Sequence, residues 1–139
     1  MMAATAEFCW PVRVYYEDTD AAGIVYHANY LKFMERARTE WLRALGYEQD
    51  RIAADFGVVF VIRNVTLDFI APARFNDALI VKTSVRRVGR ATMEFMQIVA
   101  DAAGRALCSA EVRVGCVDVA TLAPRAMPPQ LFSRIRDGS

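Results

Sequence analysis

Between Ala28 and Leu45 the apolar residues Tyr30, Phe33, Met34, Ala37, Trp41 and Leu45 recur at steps of three and four, with Lys32, Glu35, Arg36, Glu40 and Arg43 in other positions. That spacing predicts one long helix with a single buried side. After Gly57 the pattern changes to four β-rich runs, Val58 to Asp68, Asp77 to Val88, Ala91 to Asp101 and Ala106 to Asp118, separated by turns at Pro72, Gly89 and Gly104. One long helix among this much strand leads to an α+β layer in which a five-stranded antiparallel sheet wraps the helix. The fifth strand is the first in sequence, Trp10 to Tyr16, where Val12, Val14 and Tyr16 share a face opposite Arg13. Gly46 stands where a left-handed residue ends the helix, Glu48 to Phe56 reads as a short helical segment, and Pro129 opens a terminal helix through Ile135.

A length of 139 residues, with no internal repeat or linker, predicts one domain over residues 1–139. Apolar residues make up 55% of the chain, and a sheet covered on one side leaves strands to protect, so a homo-oligomer is expected through edge or face pairing. Net charge is +1, which supplies no global field for nucleic acid or an anionic membrane. The N-terminal MMAATAEFCW has no charged region leading into a long apolar run, and no apolar stretch is long enough to span a bilayer, so a cytoplasmic protein is expected. Cys9, Cys108 and Cys116 show no CxxC spacing, and a single histidine completes no common zinc set with them. They read as reduced core thiols, and neither a metal nor a cofactor is called for.

Function is sought in residues 15 to 30, YYEDTDAAGIVYHANY, where Glu17, Asp18, Asp20 and His27 precede the helix. Asp20 is singled out, because Thr19 before it and Ala21, Ala22 and Gly23 after it leave it on an uncrowded loop at the end of a strand. Gly23 lets backbone approach a ligand, and a helix beginning near His27 has free N–H groups and a partial positive charge at that loop. An aspartate beside such a terminus permits attack on an activated acyl group by the carboxylate or by water that it activates. A solvated turn whose acids cap the helix accounts for the same residues equally well. His27 is either a catalyst or a hydrogen-bonder that orients the loop through Asp20 or Tyr16. Arg86, Arg87 and Arg90 bracket the Gly89 turn, either as a phosphate site or as an ordinary solvated hairpin tip. There is no GxSxG elbow, HExxH pair or phosphate-binding glycine loop.

The run VRVYYEDTDAAGIVYHANYLKFMERARTEWL resembles the signature of hotdog-fold acyl-CoA thioesterases, in the Tol-Pal-associated bacterial branch of the 4-hydroxybenzoyl-CoA thioesterase family. FVIRNVTLDFIAPARFND and AEVRVGCVDVATLAPRAMP extend the resemblance through nearly the whole chain. It implies a hotdog fold, a long central helix wrapped by antiparallel sheet and paired into dimers or tetramers. It also implies hydrolysis of acyl-CoA thioesters, aliphatic ones by family habit, without a cofactor. Carried over by position, Asp20 is the catalytic carboxylate, as nucleophile or as general base on water. Tyr16 and His27 shape the same site, and the backbone N–H of His27 polarises the thioester carbonyl. Gly23 and Tyr26 belong to the substrate loop. Val59, Phe60 and Val61 line the acyl pocket from the neighbouring subunit, and Arg87 and Arg90 meet CoA phosphates.

Phe69 stands where relatives often carry tyrosine, so a contact that needs that hydroxyl is missing here. Glu35 and Glu40 are the competing acids of a branch that uses a helix glutamate; the DTD loop favours Asp20, leaving Glu35 for an ion pair with Arg38 or a partner subunit. The same resemblance leaves room for an acyl-carrier protein as donor, for peripheral association with the inner membrane through partners, and for a non-catalytic module that only binds acyl-CoA or acyl-carrier protein.

Overall fold

The computed structural model describes residues 7–138; residues 1–6, read above for a leader, lie outside it. The sheet holds β1 (Phe8–Arg13), β2 (Val58–Phe69), β3 (Ala78–Val88), β4 (Thr92–Ala100) and β5 (Ala106–Asp118) in the spatial order β1-β3-β4-β5-β2. Every neighbouring pair is antiparallel, and β1 and β2 form the two edges. Bulges between Ile62 and Asn64 and between Val85 and Arg87 curve the sheet around α1 (Asn29–Ala44). This is the hotdog layout expected from the pattern of one helix and five strands.

Helix α1 turns Tyr30, Phe33, Met34, Ala37, Trp41 and Leu42 into the core, where Trp41 meets Phe95 of β4 edge to face at 5.0 Å. Fully burying each large apolar side chain is worth ~1.5–3 kcal/mol, which holds the helix to the sheet. Its C-terminus closes in a double bond pattern, Gly46 N–H to Arg43 O and Tyr47 N–H to Leu42 O, with Gly46 at φ +97°. Only a residue without a side chain takes that conformation freely. The short α2 (Gln49–Phe56) buries Ile52, and α3 (Pro129–Gly138) buries Leu131 and Ile135.

The first strand differs from expectation. It runs from Phe8 to Arg13 rather than from Trp10 to Tyr16, and Tyr16–Asp18 form a 3-10 turn instead. Val14 still bonds across to the β3 side, through Val14 N–H to Asp77 O and Asn76 N–H to Val14 O. Beyond it the Asp18 carboxylate captures the Tyr15 N–H at 2.8 Å, and a side chain replaces the ladder as acceptor.

Candidate active site

The segment from Asp18 to Tyr26 folds back on itself. Tyr26 N–H bonds to Asp18 O and Asp20 N–H to Ile24 O, while Thr19 and Val25 pair between them. At the tip Asp20 Oδ1 accepts the Ala22 N–H at 2.9 Å, and the Gly23 N–H bonds to Asp20 O. Gly23 sits at φ +81°, which explains why glycine is needed there. Val25 N–H to Ala73 O and a bridge between Ile24 and Arg74 fasten this loop to the connection between β2 and β3. The Tyr30 hydroxyl accepts the Ala73 N–H from beneath, and burial raises its pKa.

The neighbouring acids have opposite fates. Asp20 is exposed at the tip, whereas Asp18 is buried at 7% exposure, its Oδ1 accepting the Asn29 Nδ2 at 2.9 Å. In sequence Asp18 is only one of three neighbouring acids, among which Asp20 is the one singled out. A signal for its structural part was present: α1 starts after Ala28, which offers no side-chain cap, and the polar residue in its first turn is Asn29.

His27 lies in the turn before α1, and its backbone N–H has no acceptor among the described residues. Its ring is exposed, 4.6 Å from Tyr26 and edge-on to Phe69 at 6.1 Å. Phe69 also lies 5.9 Å from Tyr30, so it joins His27 and Tyr30 in one aromatic cluster. Tyr16 is exposed at 76% and stacked on Phe75. Asp20, Gly23, Tyr26 and His27 therefore share one loop and helix start, with Tyr16 on the adjoining turn.

The remaining predicted residues lie elsewhere. Val59, Phe60 and Val61 occupy the far end of edge strand β2, where Phe60 packs on the core and its two neighbours alternate to the other face. Arg87 faces Glu94 at 3.9 Å beside a cavity of about 320 Å³ that also involves Arg86, Glu111 and Arg113. Arg90 lines a different groove with Arg125 and Phe132. Arg87 lies nine residues further along β3 than Ala78, which pairs with Arg13 next to the loop, a span of ~30 Å along the strand. Glu40 is held by Arg43, and Glu35 accepts the Thr39 hydroxyl. Arg38 instead donates to buried Gln97, and no ion pair joins it to Glu35 among the described residues. Among the described residues no group of His, Cys, Asp and Glu is arranged to hold a metal ion, and no helix is long and apolar enough to cross a membrane.

An antiparallel five-stranded sheet wrapped around one long helix is the hotdog architecture of thioesterases, and the chain belongs to the thioesterase-like superfamily, whose family profile matches residues 14–135. It is similar to the acyl-CoA thioester hydrolase YbgC of Escherichia coli O6:H1, 44% identical over 132 residues that cover 95% of this chain and 98% of that one. The acyl-CoA thioesterase YbgC of Haemophilus influenzae is 44% identical over 124 residues, 89% of this chain and 90% of its own. Among solved structures, a probable thioesterase from Bartonella henselae superposes with a TM-score of 0.84 at 32% identity, covering 88% of this chain and 100% of that one.

Proposed function

We infer that the protein is an acyl-CoA thioesterase that hydrolyses its substrate to a free acid and CoA without a cofactor. The observation that carries this reading is the unpaired His27 N–H at the start of α1, on the loop that presents Asp20. A thioester oxygen accepting that N–H would gain both a donor and the positive end of the helix as negative charge develops on it. Asp20 then acts in one of two ways. As general base it takes a proton from water, whose oxygen bonds to the carbonyl carbon while the C–S bond breaks and CoA leaves as the thiolate. As nucleophile it forms an acyl anhydride with loss of the same thiolate, and water opens the anhydride.

A second copy completes this reading. Tyr26, Leu31, Ile62, Phe69 and Ile70 are large apolar residues exposed on β2, just beyond its end or near the start of α1, and β2 is an unpaired edge. Antiparallel pairing of β2 with its own copy would bring Val59, Phe60 and Val61 of one chain towards the Phe69 end of the other. It would also supply Arg87 or Arg90 to a CoA bound at the other chain's loop, which the ~30 Å span denies to the same chain. An acyl-carrier protein in place of CoA would present the same thioester to Asp20.

The test is thiol release by the purified protein from short, medium, long and aromatic acyl-CoAs, run beside Asp20→Asn. We expect kcat to fall on the order of a thousandfold in the variant, ~4 kcal/mol of transition-state stabilisation. Equal background from both proteins across the panel would favour a module that only binds acyl thioesters, and full turnover by Asp20→Asn would move attention to Glu35.

A further inference from the structure

We propose that Asp18 is the positioning residue of this site, setting the acid and the carbonyl-binding N–H relative to each other through its pair with Asn29. The proposal rests on the reading of Asp20 and His27 given above. Asp18 uses both carboxylate oxygens and its backbone on three separate parts of the site. Oδ2 accepts the Tyr15 N–H at 2.8 Å, Oδ1 accepts the Asn29 Nδ2 at 2.9 Å, and its carbonyl accepts the Tyr26 N–H at 2.9 Å. Asn29 N–H in turn bonds to Tyr26 O at 2.8 Å. His27 lies between these anchors, so the peptide that carries its free N–H is held from both sides. Two residues after Asp18 stands Asp20, in the small turn whose arms the bond from Tyr26 to Asp18 closes.

A carboxylate that merely solvated a turn would have no reason to be 7% exposed, because burying it is costly unless its oxygens are bonded. Here both are bonded, and both partners are donors. Asparagine at position 18 satisfies only one of them, since its amide nitrogen would face either the Tyr15 N–H or the Asn29 amide. Aspartate at position 29 in the parent would set two carboxylates against each other. With both changes made together, the position 18 amide donates to the position 29 carboxylate while its oxygen still accepts the Tyr15 N–H, and every bond is regained with the roles exchanged.

The experiment is steady-state kinetics on an acyl-CoA substrate for Asp18→Asn, Asn29→Asp, the double exchange, Asn29→Ala and Asp20→Asn, with thermal unfolding of each. Misplacing a reacting group by about 1 Å costs roughly a hundredfold, so Asp18→Asn should lose kcat on that order with KM changed only a few-fold. The double exchange should regain at least about tenfold of the loss and keep the parent's pH profile, because the reacting carboxylate is unchanged. If Asp18→Asn fails to fold, Asn29→Ala, which removes a single bond, should still lower kcat more than it moves KM. Undiminished kcat in both Asp18→Asn and Asn29→Ala, or a loss that the double exchange leaves unrepaired, overturns the proposal. Full turnover by Asp20→Asn overturns the underlying reading of the site instead, so the two failures are separable.

Discussion

The rings of Tyr16 and Phe75 lie face to face, their centroids 3.9 Å apart and their planes 6° from parallel. The contact joins the turn that enters the Asp20 loop to the connection between β2 and β3, which also receives Val25 and Tyr30 through Ala73. Tyr16 thus acts through its ring face, and an aromatic pair of this kind is worth ~0.5–1.5 kcal/mol beyond its buried area. Tyr16→Phe should leave kcat within a few-fold of the parent, whereas Phe75→Ala should lower stability by about 1 kcal/mol in urea unfolding and reduce kcat/KM. A Tyr16→Phe variant with turnover as low as Asp20→Asn would give the hydroxyl a chemical part that the stack does not provide.

Gly23 makes a separate prediction about the same loop. A side chain there meets nothing within 4 Å, so the obstacle to substitution is backbone conformation, φ +81°, rather than space. The left-handed region costs an ordinary L-residue ~1–2 kcal/mol. Gly23→Ala should therefore lose kcat through a displaced Asp20 while global stability falls by no more than about that amount. Gly23→Asn, which tolerates the conformation better, should fall between the two, and an alanine variant as active as the parent would show that the turn has no need of glycine.

What the sequence displayed most clearly were the elements whose burial repeats with a fixed period. Helix α1 and strands β2 to β5 end within one or two residues of where their apolar positions stop, since each has a face committed to the core. The entry to the site was less legible because it obeys no period. Tyr16 continues the alternation of Val12 and Val14, yet a side-chain bond from Asp18 takes the Tyr15 N–H and turns the chain first. Three acids in one short run look alike in sequence, and what separates buried Asp18 from exposed Asp20 is Asn29, eleven residues away. Arg87 and Arg90 sit close in sequence around Gly89 but line different grooves, because Arg87 is still on β3 whereas Arg90 lies in the turn to β4. Distance from the loop could be judged only once the strand register was known.

The three cysteines should separate by reactivity. Cys108 and Cys116 are buried, and burial pushes the Cys108 thiol up to about 11 and raises that of Cys116, while Cys9 is exposed on edge strand β1. Thiolate is the reactive form, so burial protects the two core thiols both sterically and electrostatically. With an aromatic disulfide reagent at pH 8 the folded protein should release about one equivalent per chain quickly, and three after unfolding in guanidinium. Cys9→Ser should remove the fast equivalent and clear the background of a thiol-release assay. Rapid release of more than one equivalent from folded protein would mean that the face of the sheet against α1 opens far more readily than its packing implies.

Asp118 at the end of β5 should contribute to resistance against acid. Its carboxyl is held below the usual range, first by the Thr121 N–H, then by the Ala120 N–H and the neighbouring Arg125 guanidinium. Arg125 Nη1 also reaches Gly57 O at 3.1 Å, so the same carboxylate anchors the closing turn to the end of α2. A carboxyl whose folded pKa is depressed supplies stability that is fully present above its unfolded value, close to 3.8, and is lost as pH falls through the lower folded value. The unfolding temperature of the parent should accordingly exceed that of Asp118→Asn at neutral pH, and the gap should narrow as pH drops below about 4. Asp101, depressed by the Arg105 and Ala103 N–H groups, adds a drop of the same sign, so Asp118→Asn should flatten the acid limb only in part. A gap that stays constant from pH 6 to 2.5 would mean that Asp118 stabilises the turn by shape rather than by charge.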